Sequence, residues 1–95
     1  MKILAIEKEM PNLSSEDFKP HLQEEAEIVY ELYQKNIIRE IYFRTDKSSA
    51  VLVLECSDKT EAEKILSLLP LVKNNLINFE IIPLKAYPGF ARLFK

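Results

Sequence analysis

Ile37-Ile38-Arg39-Glu40-Ile41-Tyr42-Phe43-Arg44, then Thr45-Asp46-Lys47-Ser48-Ser49, then Ala50-Val51-Leu52-Val53-Leu54-Glu55-Cys56: this stretch decides the fold. Its first run is rich in β-branched and aromatic residues, its middle is polar and turn-forming, and its last run is continuously apolar. The three together predict a hairpin whose second strand is central and covered on both faces. Alternation along the first strand sets Ile37, Arg39, Ile41 and Phe43 on one face and Ile38, Glu40, Tyr42 and Arg44 on the other.

Working outward, Lys2-Ile3-Leu4-Ala5-Ile6-Glu7-Lys8 reads as a strand stopped by the turn formers Pro11 and Asn12. Residues 14–36 change period. Ser14 and Ser15 precede Glu16 and Asp17 as an N-terminal capping composition, and Phe18, Leu22, Ala26, Val29 and Tyr33 recur every three or four residues, which predicts a long amphipathic helix. Pro20 allows two versions: a helix that starts near Lys19 with Pro20 in its first turn, or a separate turn over Ser14 to Lys19. Beyond the hairpin, Asp58 and Glu61 have capping-box spacing, and Ala62, Ile65, Leu66 and Leu69 mark a second helix that Pro70 ends. After a linker from Leu71 to Asn75, the run from Leu76 to Leu84 predicts an edge strand, because Pro83 cannot donate to a ladder. The segment 85–95, with Tyr87, Phe90, Leu93 and Phe94, is too apolar to be left in water and is expected to dock.

The order is β-α-β-β-α-β, an α+β, ferredoxin-like single domain over residues 1–95: a four-stranded antiparallel sheet with two helices on one face. Its other sheet face must be covered by something. An RNA-binding module of this topology stacks bases on aromatic rings of its central strands. Here those strands, Lys2 to Lys8 and Ala50 to Cys56, carry none, and the net charge is −2, so no nucleic-acid partner is expected. One Gly excludes glycine-rich phosphate loops, and one Cys excludes an internal disulfide framework and a paired-thiolate metal site. No apolar run approaches the roughly 20 residues of a membrane span, and no leading apolar segment is present, so the reading is a cytoplasmic protein without a membrane partner. Aliphatic side chains on an open sheet favour face-to-face pairing of two copies, a dimeric α+β barrel with clefts for small molecules.

Leu69-Pro70-Leu71, a short linker, then Phe79-Glu80 with Pro83-Leu84 resemble the closing segment of the muconolactone Δ-isomerase-like proteins. The acidic first helix, the strand ending at Arg44, the apolar strand ending at Cys56 and the short second helix follow the same family order, over about three quarters of the chain. The stretch through Pro20 and the segment from Tyr87 to Phe94 depart from it. The resemblance implies a homodimeric barrel, often assembled into larger rings, and a metal-free, cofactor-free proton shift on a small unsaturated, carboxylated lactone.

Polar residues that interrupt apolar patterns are the site candidates. On the first helix, at about 100° per residue, Glu25 falls near the centre of the arc of Phe18, Leu22, Val29 and Tyr33, with His21 at its margin. That pair can share a proton and serve as base and acid, although a helix-edge Glu and a helix-start His are equally ordinary residues. With Glu24 or Glu25, His21 also has metal-ligand spacing, but two ligands are not a site, and no metal is expected. Arg44, helped by the phenol of Tyr42, is the candidate to hold a substrate carboxylate; its structural alternative is a cross-strand or interface ion pair. Cys56 reads as a small buried hydrophobe. The alternative to an isomerase is a non-catalytic ligand-binding or assembly protein of the same fold, all of whose charges are structural.

Overall fold

A computed structural model of the chain describes residues 1–94. Four strands, β1 (Lys2–Glu9), β2 (Ile38–Phe43), β3 (Ala50–Glu55) and β4 (Ile77–Pro83), form one antiparallel sheet in the order β2-β3-β1-β4. Helices α2 (Leu22–Gln34) and α3 (Lys59–Leu66) pack against β2 and β4 respectively. This is the ferredoxin-like arrangement, with β4 at an edge and Pro83 at its end.

The sequence from Ser14 to Gln34 takes the second of its two versions. A single turn, α1 (Ser15–Phe18), is followed by a 3₁₀ turn over Lys19–His21 that contains Pro20, and the long helix starts only at Leu22. Asp17 accepts the Ser14 backbone N–H at 2.8 Å, which holds the first turn apart from the second. Asp58 caps α3 by accepting the Glu61 N–H at 2.8 Å, while Glu61 reaches back to the Ser57 N–H at 3.0 Å. Pro70 follows the end of that helix and opens another, α4 (Pro70–Lys73), inside the expected linker; a missing N–H does no harm at a first helical position.

With only one glycine in the chain, the left-handed backbone positions fall to asparagine, whose short polar side chain tolerates them. Asn12, Asn36 and Asn75 have φ of 65°, 62° and 59° and close β1, α2 and α4. Behind Asn36 and Asn75, Ile37 and Leu76 donate to the Leu32 and Leu71 carbonyls at 3.0 and 2.9 Å, which satisfies helix ends that would otherwise be bare.

The core lies between the helices and one sheet face. Ile3, Ala5, Ile38, Ala50, Leu52 and Leu54 from the strands meet Leu32, Ala62 and Leu66 from the helices, all buried. The expected alternation of β2 is broken by an irregularity between Ile38 and Glu40: Ile38 pairs with Leu54, Ile41 with Leu52 and Phe43 with Ala50. Ile38 therefore shares the helix-facing side with Ile41 and Phe43 instead of opposing them. On α2 the residue that enters the core is Leu32, flanked by Ile28 and Val29, whereas Leu22 and Tyr33 of the expected stripe are about half exposed.

Leu4, Ile6, Val51, Val53 and Ile82 lie on the opposite face, partly exposed, with Lys8 and Glu80 ion-paired at 3.6 Å beside them. β3 is thus covered on one face only in the single chain. After β4, Leu84 donates to the Lys2 carbonyl at 2.9 Å, and the following segment leaves the body. None of its large side chains joins either apolar cluster. Lys95, the last residue of the expected docking segment, lies outside the described residues. Among the described residues no helix is long and apolar enough to cross a membrane.

Candidate functional site

Glu7 has the same parity in β1 as the buried Ile3 and Ala5, so its carboxylate rises from the sheet on the helix side. Beyond the last ladder pair of β1 with β3, Ile6 with Val51, one of its oxygens accepts the Ala50 N–H at 3.1 Å. Glu25 descends toward it from α2, one of its oxygens accepting the Leu71 N–H of α4 at 3.0 Å. Both carboxylates line a cavity of about 260 Å³ under α2, whose walls are otherwise apolar: Leu22, Val29, Ile41, Phe43, Leu52 and Phe79 among them. A wider mouth of about 460 Å³ adjoins it, sharing Glu7, Leu22, Phe43 and Leu71 and adding Leu13, Phe18 and Lys19. Such a cleft suits a small, mostly apolar ligand with few polar groups.

Burial pushes the Glu25 carboxyl above the usual carboxylate range. The Leu71 N–H and the neighbouring His21 pull it back, and the Glu7 charge adds to the rise. Glu7 is raised for the same first reason, with the Ala50 N–H opposing and Glu9 adding. Each carboxylate has one oxygen held by a backbone N–H and, among the described residues, a second oxygen without a hydrogen-bond partner. Two acids of raised pKa in one apolar cleft can divide the roles of proton acceptor and proton donor.

No family model and no curated protein matches this chain. The site is therefore read from its own residues. Of the candidates named from sequence, Glu25 is in the cleft, and His21, partly buried at the start of α2, is close enough for its charge to act on Glu25. Arg44 and Tyr42 are not brought together with them. Arg44 forks onto Asp46, at 2.9 and 2.6 Å, at the exposed hairpin tip, and Asp46 holds the guanidinium pKa up in return. Tyr42 donates to Glu40 at 2.8 Å on the β2 edge, which raises its phenol pKa. The cation at the cleft mouth is Lys19, paired with Glu16 at 2.7 Å. Cys56 is buried, and burial raises its thiol pKa, an inert environment for a thiol. Glu7 is not among the candidates named from sequence; its parity with Ile3 and Ala5 is the available signal.

Proposed function

We propose that the chain is a small-molecule-binding, dimeric α+β barrel protein that shifts a proton on a small unsaturated cyclic substrate without a cofactor, a cytoplasmic isomerase of the muconolactone Δ-isomerase kind. The observation that carries this reading is the pair Glu7 and Glu25, two carboxyls of raised pKa facing one apolar cleft, each with one oxygen fixed by a backbone N–H. One carboxylate removes a proton from the γ-carbon of an α,β-unsaturated lactone, or from the α-carbon of its β,γ isomer, and the C–H electrons move into a conjugated dienolate. A carboxylic acid then delivers a proton to the far carbon of that system, so the double bond migrates and the composition is unchanged. Apolar walls keep water from competing for the carbanion. His21 modulates Glu25, and Lys19 at the mouth offers a carboxylated substrate its counter-charge, while Arg44 lines an adjoining pocket with Glu7. The free thiol of Cys56 fits a reducing compartment.

Pairing of two copies through Leu4, Ile6, Val51, Val53 and Ile82 belongs to the same proposal, since a patch of this kind is costly to leave in water. One observation favours the alternative, a non-catalytic ligand-binding or assembly protein: each carboxylate already serves the fold by tying one element to another, β1 to β3 and α2 to α4.

The test is proton exchange. Muconolactone, an α,β-unsaturated γ-lactone, and simpler β,γ-unsaturated γ-lactones are incubated in D₂O with the protein and followed by NMR. The expected result is deuterium incorporation and double-bond migration, slowed at least about 100-fold in Glu25→Gln, as loss of a general base requires. Exchange that Glu25→Gln leaves untouched, or none above the buffer rate with the whole set, overturns the catalytic reading.

A further inference from the structure

The segment that leaves β4 is ordered around itself. Tyr87 folds over Gly89, the only buried residue among 84–94, and a Cβ at that position would clash with the phenol end of the tyrosine. Phe90 meets Tyr87 edge to face, with ring centroids 5.1 Å apart, and a 3₁₀ turn spans Gly89–Leu93. The result is a preformed aromatic knob on a short arm. Yet Tyr87, Phe90, Leu93 and Phe94 are 65–80% exposed, and the molecule measures 58 Å along its long axis against 28 and 21 Å across.

On the other side of the molecule lies a groove of about 520 Å³ between α2 and the edge strand β2, lined by Val29, Tyr30, Tyr33, Ile41 and Tyr42. Its three tyrosines are 50–60% exposed. The arm leaves from β4, the opposite edge of the sheet, about 14 Å away at three strand spacings, and runs outward.

We propose that this groove receives the 85–94 arm of a second copy of the chain, and that two copies exchange arms. The two charges that line the groove, Arg39 and Glu40, offset each other, so Lys85 and Arg92 of the arm meet no net repulsion there. Area is the reason. At about 150–200 Å² per large side chain, covering the exposed part of those four residues removes on the order of 450 Å² per arm. Two arms with matching receiving surfaces come to roughly 1,800 Å², the size of a standard stable interface. Tyrosine hydroxyls at the groove rim suit an occupant that brings main-chain polar groups along with its rings. The inference rests on self-association, as the barrel reading does, and adds to it which segments meet.

In a Cys56→Ala background, chains bearing Leu93→Cys are mixed with chains bearing Tyr30→Cys and mildly oxidised. The expected product is a disulfide-linked mixed dimer, formed at least tenfold faster than with Lys64→Cys on α3 or Val53→Cys on the open sheet face. Linking no faster than these controls overturns the proposal. In parallel, the full chain and a chain ending at Lys85 are sized by sedimentation at micromolar concentration, with circular dichroism to verify folding. A folded, shortened chain whose dimer dissociation constant rises at least tenfold supports arm exchange. A dimer indifferent to the loss overturns the exchange and leaves the barrel standing, while a full-length monomer overturns both.

Discussion

Replacing Glu25 with Gln and with Ala separates what its carboxylate does for the fold from what its charge does. Glu25 accepts the N–H of Leu71, a residue only 7% exposed, at 3.0 Å. Alanine leaves that donor without a partner in a place water reaches poorly, at a cost of about 1–3 kcal/mol. For a domain of this size that lowers the melting temperature by roughly 5–20 °C. Glutamine keeps an acceptor oxygen and removes only the charge. Because burial raises the folded pKa of Glu25 above its ordinary 4.5, the folded state holds the proton more tightly than the unfolded chain does. The cost of ionising it is absent below 4.5, grows as pH climbs to the raised value, and is complete above it. Wild type therefore loses stability relative to Glu25→Gln as pH rises through that window, and the difference levels off beyond it. Urea denaturation of the three proteins between pH 4 and 8 reads both effects. Glu25→Gln as damaged as Glu25→Ala at pH 7, or a wild-type advantage that grows with pH, refutes the reasoning.

Glu7→Gln follows the same pH trend for the same sign of shift, and its effect together with Glu25→Gln falls short of additive because the Glu7 charge raises the cost of ionising Glu25; a double-mutant cycle in urea checks it. Asp58→Ala removes the acceptor of the Glu61 N–H and lowers stability by about 1 kcal/mol in thermal melts. Asn36→Gly is close to neutral at φ 62°, whereas Asn36→Val costs about 1–2 kcal/mol or more, read from the same melts. Val53→Glu, on the open sheet face, leaves the circular dichroism spectrum unchanged and shifts sedimentation toward the monomer; an unshifted dimer counts against face-to-face pairing.

What could be read from the residues follows how local each signal is. The hairpin from Ile37 to Cys56 and the cap at Asp58 depend on neighbours in sequence, and they stand where the composition placed them. Glu25 was legible because a carboxylate inside an apolar helical arc needs a reason, and the reason is the cleft. The facing of β2 was not, since the irregularity between Ile38 and Glu40 is set by how that strand pairs with β3, information held by two segments at once. Tyr42 and Arg44 are held by Glu40 and Asp46, two residues away in each case, a pairing of exposed side chains that alternation alone does not specify. Pro70 illustrates a different limit: proline marks a helix boundary, but not whether the boundary is an end or a beginning.

Structural and chemical uses of Glu7 and Glu25 are compatible, and the geometry gives the physical reason. A carboxylate moved into an apolar cleft without a donor takes up a proton and loses its value as a base. One backbone N–H, from Ala50 or Leu71, offsets part of that desolvation and leaves the second oxygen without a partner among the described residues. Those N–H groups are themselves located by β3 pairing and by the turn that Pro70 starts, so the orientation of each acid is fixed by main chain rather than by mobile side chains. The cleft is lined within one copy by α2 and all four strands with the α4 turn, while the groove and the arm lie outside it. Removing the arm therefore disturbs neither carboxylate, which makes proton exchange and oligomeric state separable measurements on the same protein.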